Sequence, residues 1–569
     1  MIKQLDVDGV PTLLAPGTGP AHAGLAFRVG FADEPLYRRG ITHLVEHLAL
    51  YSTGVADYHY NGATGVEYTF FHMQGSEEDL AAFLTGVCSS LRDLPMQRLA
   101  VEKDLLQAEA NGRNQGAADS MSLWRHGARD FGMPSYPEWG LPAITEDDLR
   151  AWVERYFTRE NAVLWLAGEG VPEGLRLDLP SGARQPAPTP SSALPVRPAY
   201  FTANSGVLVW DAEVERAARS SVFAGVLERA MRRELRQEAG LSYTAQANYE
   251  PLGADRALVT AVADSLPDKQ GAVLGGFVDV LAALRVGRID EADVTAVVKQ
   301  RTEALRHAEE QGARLPGQAL NLLAGRPVQS ADEAIAETRA VGPAEVAEVA
   351  VAASADGLLM APRTRADWAG FTAAPNRSEA AVPGTAYASL EGPDETLVIG
   401  PEGVSLVRAE GPATVRFDAC AIVRAWPDGA RYFIGHDGIV VAIEPTLWSG
   451  VPGALPWLDS HIPAALRVDQ PPRDPAQIPQ PDVSGWPAPQ RSRPLTSGAR
   501  VFTTLGAVGL GLVALVFTVG ALILGIGMTD DSFTPSDRVA VSVVLVICLL
   551  IAAGAGFGIH RLLRRLYRG

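Results

Sequence analysis

One order of secondary structure occurs twice in the first 371 residues. In residues 1–181, apolar periodicity predicts strands, the helix GITHLVEHLALYS, the strand EYTFFHMQ, several amphipathic helices and the closing strand AVLWLAGE. Residues 199–371 repeat this order with the strand GVLVWDA, a long helix, two strands and further helices. We therefore predict an α+β fold with two similar α/β-sandwich units.

The length of the chain and its linkers predict further parts. A chain of 569 residues is too long for one ordinary core. Residues 182–198 and 471–500 are Pro-rich linkers, and residues 372–388 lack apolar periodicity. Residues 389–470 contain short strands separated by turn signals, which predicts a small barrel or sandwich. A pleckstrin-homology-like module is one candidate for it.

Two apolar stretches near the C-terminus, 501–528 and 539–559, contain no charged residue. Each exceeds the roughly 20 residues that span a bilayer, which predicts a transmembrane helical hairpin. A buried hairpin in a soluble protein is the alternative. Arginines flank the hairpin and no signal peptide is visible, so we predict a multi-pass cell-membrane protein with both termini and the N-terminal units in the cytoplasm.

Charge and cysteine content exclude some classes of protein. The net charge of −17 argues against a nucleic-acid partner, which needs a basic surface to replace counterions. The three cysteines, Cys88, Cys420 and Cys548, are widely separated and odd in number. They form no recognisable disulfide framework or zinc ribbon, and they fit a reducing compartment.

The helix GITHLVEHLALYS carries a possible metal-binding pattern. His43 and His47 are four residues apart, so both imidazoles lie on one face, and neutral imidazole is a good zinc ligand. Glu46 lies beside them and can act as a general base. Glu102 and Glu109 are two turns apart on a later helix and face the same way. Taken alone, the first pattern can occur by chance and the second is typical of a solvated acidic face.

Together these five residues resemble the insulinase/pitrilysin family, the inverzincins, which includes mitochondrial processing peptidase. Its pattern is His-x-x-Glu-His followed by a distal Glu-x6-Glu helix, which His43, Glu46, His47, Glu102 and Glu109 match. The resemblance implies one zinc ion per chain, held by His43, His47 and Glu109, with Glu102 supporting the ligands. The interval from His47 to Glu109 is shorter than in the family, which indicates a trimmed loop.

Two further segments carry the same resemblance. The segment NGATGVEYT resembles the family's Asn-Ala-x-Thr-x-x-Glu-x-Thr stretch through Asn61, Gly62, Ala63, Thr64, Glu67 and Thr69, with glycine at 62 in place of the usual alanine. There the resemblance implies that substrate pairs with an edge strand, at Asn61, Gly62 and Ala63. In LRQEAGLSY it implies that Arg236 and Tyr243 hold substrate. Without the resemblance, NGATGVEYT is interpreted as an ordinary turn and strand. Arg236 is then a surface charge and Tyr243 a half-buried strand residue.

The function implied by the resemblance is zinc-dependent endopeptidase activity with Glu46 as general base. Family members enclose peptides in a clamshell of four units, so a chain with two units implies a homodimer or a heterodimer with a related subunit. Peptide substrate and membrane lipid are the other expected partners. Two alternatives stay open, a non-catalytic family subunit and a membrane-anchored binding scaffold built around residues 389–470.

Overall fold

The computed structural model of the chain describes residues 2–17, 20–51, 59–113 and 116–482. A six-stranded sheet forms the first unit. Its elements are β1 (Lys3–Val7), β2 (Val10–Ala15), β3 (Ala21–Phe27), α1 (Ile41–Leu50), β4 (Tyr60–Thr64), β5 (Thr69–Gly75), α2 (Glu77–Arg92), α3 (Leu99–Gly112), α4 (Ala117–His126), α5 (Glu146–Tyr156) and β6 (Ala162–Ala167). The strand order is β1-β2-β6-β3-β5-β4, with β2 and β6 parallel and the other neighbours antiparallel.

A second six-stranded sheet forms the second unit. Its elements are β7 (Ala199–Ala203), β8 (Val207–Glu215), α6 (Ala218–Met231), β9 (Ala245–Leu252), β10 (Arg256–Asp264), α7 (Gln270–Arg285), α8 (Glu291–Glu310), α9 (Leu315–Leu323), α10 (Ala331–Arg339), α11 (Pro343–Asp356), β11 (Leu358–Pro362) and β12 (Thr372–Ala373). Its order is β12-β7-β11-β8-β10-β9. Strands β7, β11, β8, β10 and β9 repeat the directions of β2, β6, β3, β5 and β4. The prediction of two similar α+β units is confirmed.

The two units exchange helices across their outer faces. Strand alternation gives each sheet two apolar faces, and α1, α2 and α5 cover one face of the first sheet. The other face packs against α9, which comes from the second half of the chain. In return, α4 from the first half packs on the second sheet, where Trp124 stacks on Phe201. Each unit is therefore completed by a helix of the other.

A buried arginine fixes this exchange. Arg125 lies at the end of α4, and its side chain is 2 % exposed. It donates to the Asp211 carboxylate on β8 at 2.9 Å and to the Asp356 carboxylate at the end of α11 at 2.8 Å. Because charges are this deeply buried only when they are paired, these contacts set the position of α4 on the second sheet.

A small β-rich domain follows. We use this name for residues 385–469, which contain β13 (Thr385–Ala388), β14 (Thr396–Gly400), β15 (Gly403–Arg408), β16 (Gly411–Arg416), β17 (Cys420–Ala425), β18 (Arg431–Gly435), β19 (Val440–Ile443), α12 (Val451–His461) and β20 (Arg467–Asp469). Two four-stranded sheets, β13-β14-β15-β16 and β19-β18-β17-β20, enclose one apolar core that α12 also joins. The predicted boundaries and the pleckstrin-homology likeness stay predictions.

The predicted localisation needs correction. Among the described residues, no helix is both long enough and apolar enough to cross a membrane. The 20-residue α8 is interrupted by charges throughout, and the apolar α7 has 16 residues, about 24 Å against a hydrocarbon core of about 30 Å. The prediction of a two-span cell-membrane protein with cytoplasmic units is corrected on this finding. The segments 501–528 and 539–559, like Cys548, lie outside the described residues.

Candidate metal centre

The start of α1 is held by a buried ion pair. Gly40 precedes the helix with a φ of 103°, a conformation that favours glycine. The Glu34 carboxylate accepts the amide protons of Gly40 at 3.0 Å and Thr42 at 2.9 Å, which satisfies donors of the first turn. Arg39, fully buried, pairs with Glu34 at 3.0 Å. Leu44 and neighbouring apolar residues of α1 then pack on the first sheet and leave two histidines half-buried.

Those two histidines and a glutamate of α3 converge. The Nε2 atom of His43 lies 4.0 Å from Glu109 Oε2, and that of His47 lies 3.9 Å from Glu109 Oε1. Ligand atoms of all three side chains lie within 4.8 Å of one another, and the described residues contain no second group of this kind. A tetrahedral zinc site with bonds near 2.1 Å separates its ligand atoms by about 3.4 Å. Glu109 is 57 % exposed, so a small side-chain movement closes the difference.

The second nitrogen of each imidazole faces a different carboxylate. His43 Nδ1 lies 2.8 Å from Glu138 Oε1, and His47 Nδ1 lies 3.3 Å from Glu102 Oε2. Arg98 in turn donates to Glu102 at 2.9 Å. A proton on Nδ1 that is shared with a carboxylate leaves the Nε2 lone pair of each ring directed at Glu109. This donor set and its tautomers fit a zinc ion.

The charges around His43 also favour a cation. Burial disfavours the protonated ring, but the neighbouring carboxylates, above all Glu138, outweigh it and raise the pKa of His43. Burial likewise acts to raise the pKa of Glu138, yet the hydrogen bond and charge of His43 hold that pKa below its ordinary value. Positive charge is therefore stabilised at this place, whether a proton or a metal ion supplies it.

Glu46 lies between α1 and the edge strand β4. It is 5 % exposed, and its Oε2 accepts the hydroxyl proton of Thr64 at 2.8 Å. Burial raises the pKa of Glu46, partly opposed by the nearby His43. Gly62 makes this position possible, because a β-carbon there would lie 2.5 Å from Glu46 Oε1.

The remaining residues of the NGATGVEYT segment do other work. Asn61 and Ala63 alternate with Gly62 and Thr64 along β4, so their side chains leave from the opposite face of the sheet. Buried Glu67 accepts the Gly253 amide proton from the second unit at 3.0 Å, and Thr69 donates its hydroxyl proton to the Val29 carbonyl at 3.0 Å. Both contacts hold the sheet in place rather than touching the centre.

Arg236 and Tyr243 lie on the second unit. Arg236 belongs to a π-helical turn, Arg232–Glu238, that continues α6, and its guanidinium carbon lies 4.9 Å from the Tyr243 ring centroid. The Tyr243 residue is 77 % exposed. Within the described residues, neither side chain forms a hydrogen bond or an ion pair with the metal-centre residues. The structure brings the two to each other and leaves them facing solvent.

Sequence reasoning missed Glu138. It lies 95 residues from His43, in an irregular segment between α4 and α5, and no motif includes it. Its only signal is a carboxylate placed among apolar and aromatic residues in SYPEWG. Its contact with His43 depends on the tertiary fold, so sequence spacing could not reveal it.

Comparison with known proteins supports the fold. No protein-family profile matches the sequence, and the search of curated proteins found no match. Among solved structures, a protease from Helicobacter pylori is 15 % identical with a TM-score of 0.54, covering 64 % of this chain and 99 % of that one. The first half of the periplasmic protease PqqL from Escherichia coli is 14 % identical with a TM-score of 0.52, covering 65 % and 92 %.

A third match is described as a peptidase M16 inactive domain from Pseudomonas fluorescens. It is 13 % identical with a TM-score of 0.53, covering 64 % of this chain and 98 % of that one. The chain shares its fold with these three proteins, one of which is described as an M16 peptidase domain. At such low identities the likeness concerns the fold, and it assigns no activity.

Proposed function

We propose that the chain is a zinc-dependent endopeptidase of the insulinase/pitrilysin type that hydrolyses peptides or unfolded segments. The convergence of His43, His47 and Glu109 carries the proposal, because three donors with directed lone pairs leave a fourth position open, as catalytic zinc sites do. The M16-like fold supports it, since this arrangement lies on that fold rather than on an unrelated one.

Zinc, when bound, would polarise the carbonyl group of the scissile bond and activate water for attack. His43, His47 and Glu109 would hold it. The Glu46 carboxylate accepts a proton from the attacking water and passes it to the departing amine, so the same group serves as base and then as acid.

The edge strand β4 is the proposed substrate platform. Among the described strands it pairs only with β5, so its other edge can take an extended peptide by β-augmentation. Asn61, Gly62 and Ala63 supply the backbone groups, and Glu46 lies under Gly62. A peptide added there would lie alongside the strand that Glu46 contacts through Gly62 and Thr64.

A second chain is proposed to complete the site. Arg236 and Tyr243 suit the stabilisation of negative charge that develops on the carbonyl oxygen, and the 77 % exposure of Tyr243 leaves it accessible to another subunit. We therefore propose a dimer, either of identical chains or with a related subunit. A catalytically competent monomer, identified by activity across a size-exclusion profile, would contradict this.

A non-catalytic family subunit is the second candidate. The match to an inactive M16 domain keeps it open. The complete set of donors and the buried Glu46 favour the enzyme instead, because a purely structural subunit has no need of a buried carboxylate beside three metal donors.

The test combines zinc content with peptide cleavage. Glu46→Gln is expected to bind zinc with wild-type stoichiometry and to lose at least about 100-fold in kcat/KM, since proton transfer is worth about that much. The exposed Glu173→Gln serves as matched control and is expected to keep full activity. Chelator should abolish wild-type cleavage and added zinc should restore it. Cleavage by Glu46→Gln at the wild-type rate would refute the mechanism, and a wild-type chain without zinc affinity would refute the proposal.

A further inference from the structure

We infer that Glu138 is a positioning residue for His43 and that the β-rich domain holds Glu138 in place. The β-rich domain therefore contributes to the geometry of the metal centre. The inference rests on the proposed function, because it concerns the orientation of a zinc ligand. It assigns a role to the β-rich domain, residues 385–469, whose presence the first and second units do not explain.

Glu138 fixes His43 from the side opposite Glu109. Its Oε1 lies 2.8 Å from Nδ1 of His43, and the same atom lies 3.6 Å from the Arg39 guanidinium. Arg39 also donates to the Met133 carbonyl at 3.3 Å. Glu138 is 8 % exposed, so its carboxylate has little freedom to choose other partners. Histidine ligands depend on such carboxylates for their tautomer and ring orientation.

The segment that carries Glu138 is irregular. We call residues 127–143 the support loop; it connects α4 to α5 through short 3-10 turns. Such a segment cannot hold a side chain to a few tenths of an ångström by its own backbone hydrogen bonds, and it needs packing from outside. The first unit supplies only part of this packing.

The β-rich domain supplies the rest through an apolar cluster. Met133 and Tyr136 of the support loop pack with Ile422 on β17 and with Ile434 on β18. Ile422 and Ile434 are 0 % and 1 % exposed, although they lie outside the domain's own core. Two fully buried isoleucines on the outer face of a domain show that this contact is close-packed.

Polar contacts join the same two parts. The Ala128 amide donates to the His436 carbonyl at 3.0 Å. At Gly127, with a φ of 74°, a β-carbon would lie 2.1 Å from that carbonyl oxygen, so only glycine permits the approach. Next to Glu138, the Trp139 ring lies 4.4 Å from the guanidinium carbon of Arg424 on β17. The β-rich domain therefore contacts the support loop at its start, at Gly127 and Ala128, and again next to Glu138, at Trp139.

The test is a double-mutant cycle read out as zinc affinity of the full chain, measured by competition with a chromophoric chelator. Glu138→Ala is expected to weaken zinc binding about 10- to 100-fold. Ile434→Ala, which leaves a cavity against the support loop, is expected to weaken it several-fold. Ile443→Ala is the matched control, because Ile443 is equally buried but belongs to the domain's own core. It is expected to leave zinc affinity unchanged in a folded chain, checked by circular dichroism.

Coupling decides the outcome. If the domain acts through Glu138, Ile434→Ala has no further effect in the Glu138→Ala background. The d–d spectrum of the cobalt-substituted chain should also change in Glu138→Ala, which a loss of general stability would not produce. Equal effects of Ile434→Ala and Ile443→Ala, additive effects in the cycle, or wild-type affinity in Glu138→Ala would each overturn the inference while leaving the proposed function intact. A wild-type chain that binds no zinc would instead remove the proposed function first.

Discussion

Replacing Gly62 by alanine tests whether Glu46 is the general base. A β-carbon at this position would lie 2.5, 2.8 and 2.9 Å from the Oε1, Cγ and Cδ atoms of Glu46. Ordinary contacts of a β-carbon begin at 3.4 Å, so the carboxyl group must retreat by about 1 Å. It has little room, because it is 5 % exposed and bonded to Thr64.

The expected loss follows from that displacement. Misplacing a reacting group by about 1 Å can lower the rate about 100-fold, equivalent to about 2.7 kcal/mol of transition-state stabilisation. Because Glu46 is not one of the proposed metal ligands, zinc affinity should not change. The predicted signature of Gly62→Ala is thus a lower kcat with normal metal content.

The assay is cleavage of a quenched fluorescent peptide, with zinc measured on the same samples. Gly65→Ala is the matched control in the same hairpin, because a β-carbon at Gly65 would meet its nearest atom at an ordinary 3.4 Å. Wild-type kcat/KM in Gly62→Ala would refute the reasoning, since it would mean that β4 moves outward and Glu46 stays. Equal losses in both variants would show that the hairpin, and not Glu46, is responsible.

Two further predictions concern stability. Arg125→Met should lower the free energy of unfolding by about 3–5 kcal/mol in urea titrations, because it leaves the Asp211 carboxylate buried and unpaired. Adding Asp211→Asn should recover part of this loss. An unchanged urea midpoint in Arg125→Met would contradict the prediction. Burial acts to raise the pKa of Glu160, but hydrogen bonds from Gly182 and Ser181 hold it at about 2. The stabilisation is present above pH 4.5 and is lost as pH falls towards 2, so Glu160→Gln should be destabilising in thermal melts at pH 7 and neutral at pH 2.

Local patterns were sufficient for the repeated units, whereas the donors of the metal centre were indicated only by their resemblance to a family pattern. Each of these patterns lies within one short stretch of sequence. This holds for the alternation of apolar residues in strands, for the four-residue spacing of His43 and His47 and for the two-turn spacing of Glu102 and Glu109. The structure brings His43, His47 and Glu109 together as the resemblance implies, while their roles stay a prediction. The prediction of an element with a strong local signal does not depend on where the rest of the chain lies.

Contacts between distant elements could not be predicted in the same way. Nothing in the LPGQALNLL stretch indicates that α9 covers the first sheet, because an apolar helix face fits either unit equally well. The partners of Arg125 are 86 and 231 residues away, and an arginine near the end of a helix is usually a surface charge. Only the tertiary fold distinguishes these cases.

The metal centre combines both kinds of information, and this explains which part of it was missed. His47 and its carboxylate Glu102 both belong to motifs that carry the family resemblance, so the resemblance could indicate their relation. His43 has an equivalent carboxylate in Glu138, but that residue sits in a loop shaped by a domain nearly 300 residues further along the chain. Metal ligands can thus be recognised in a sequence, whereas a carboxylate such as Glu138 that orients one of them cannot. Its position depends on tertiary packing, which no local pattern indicates.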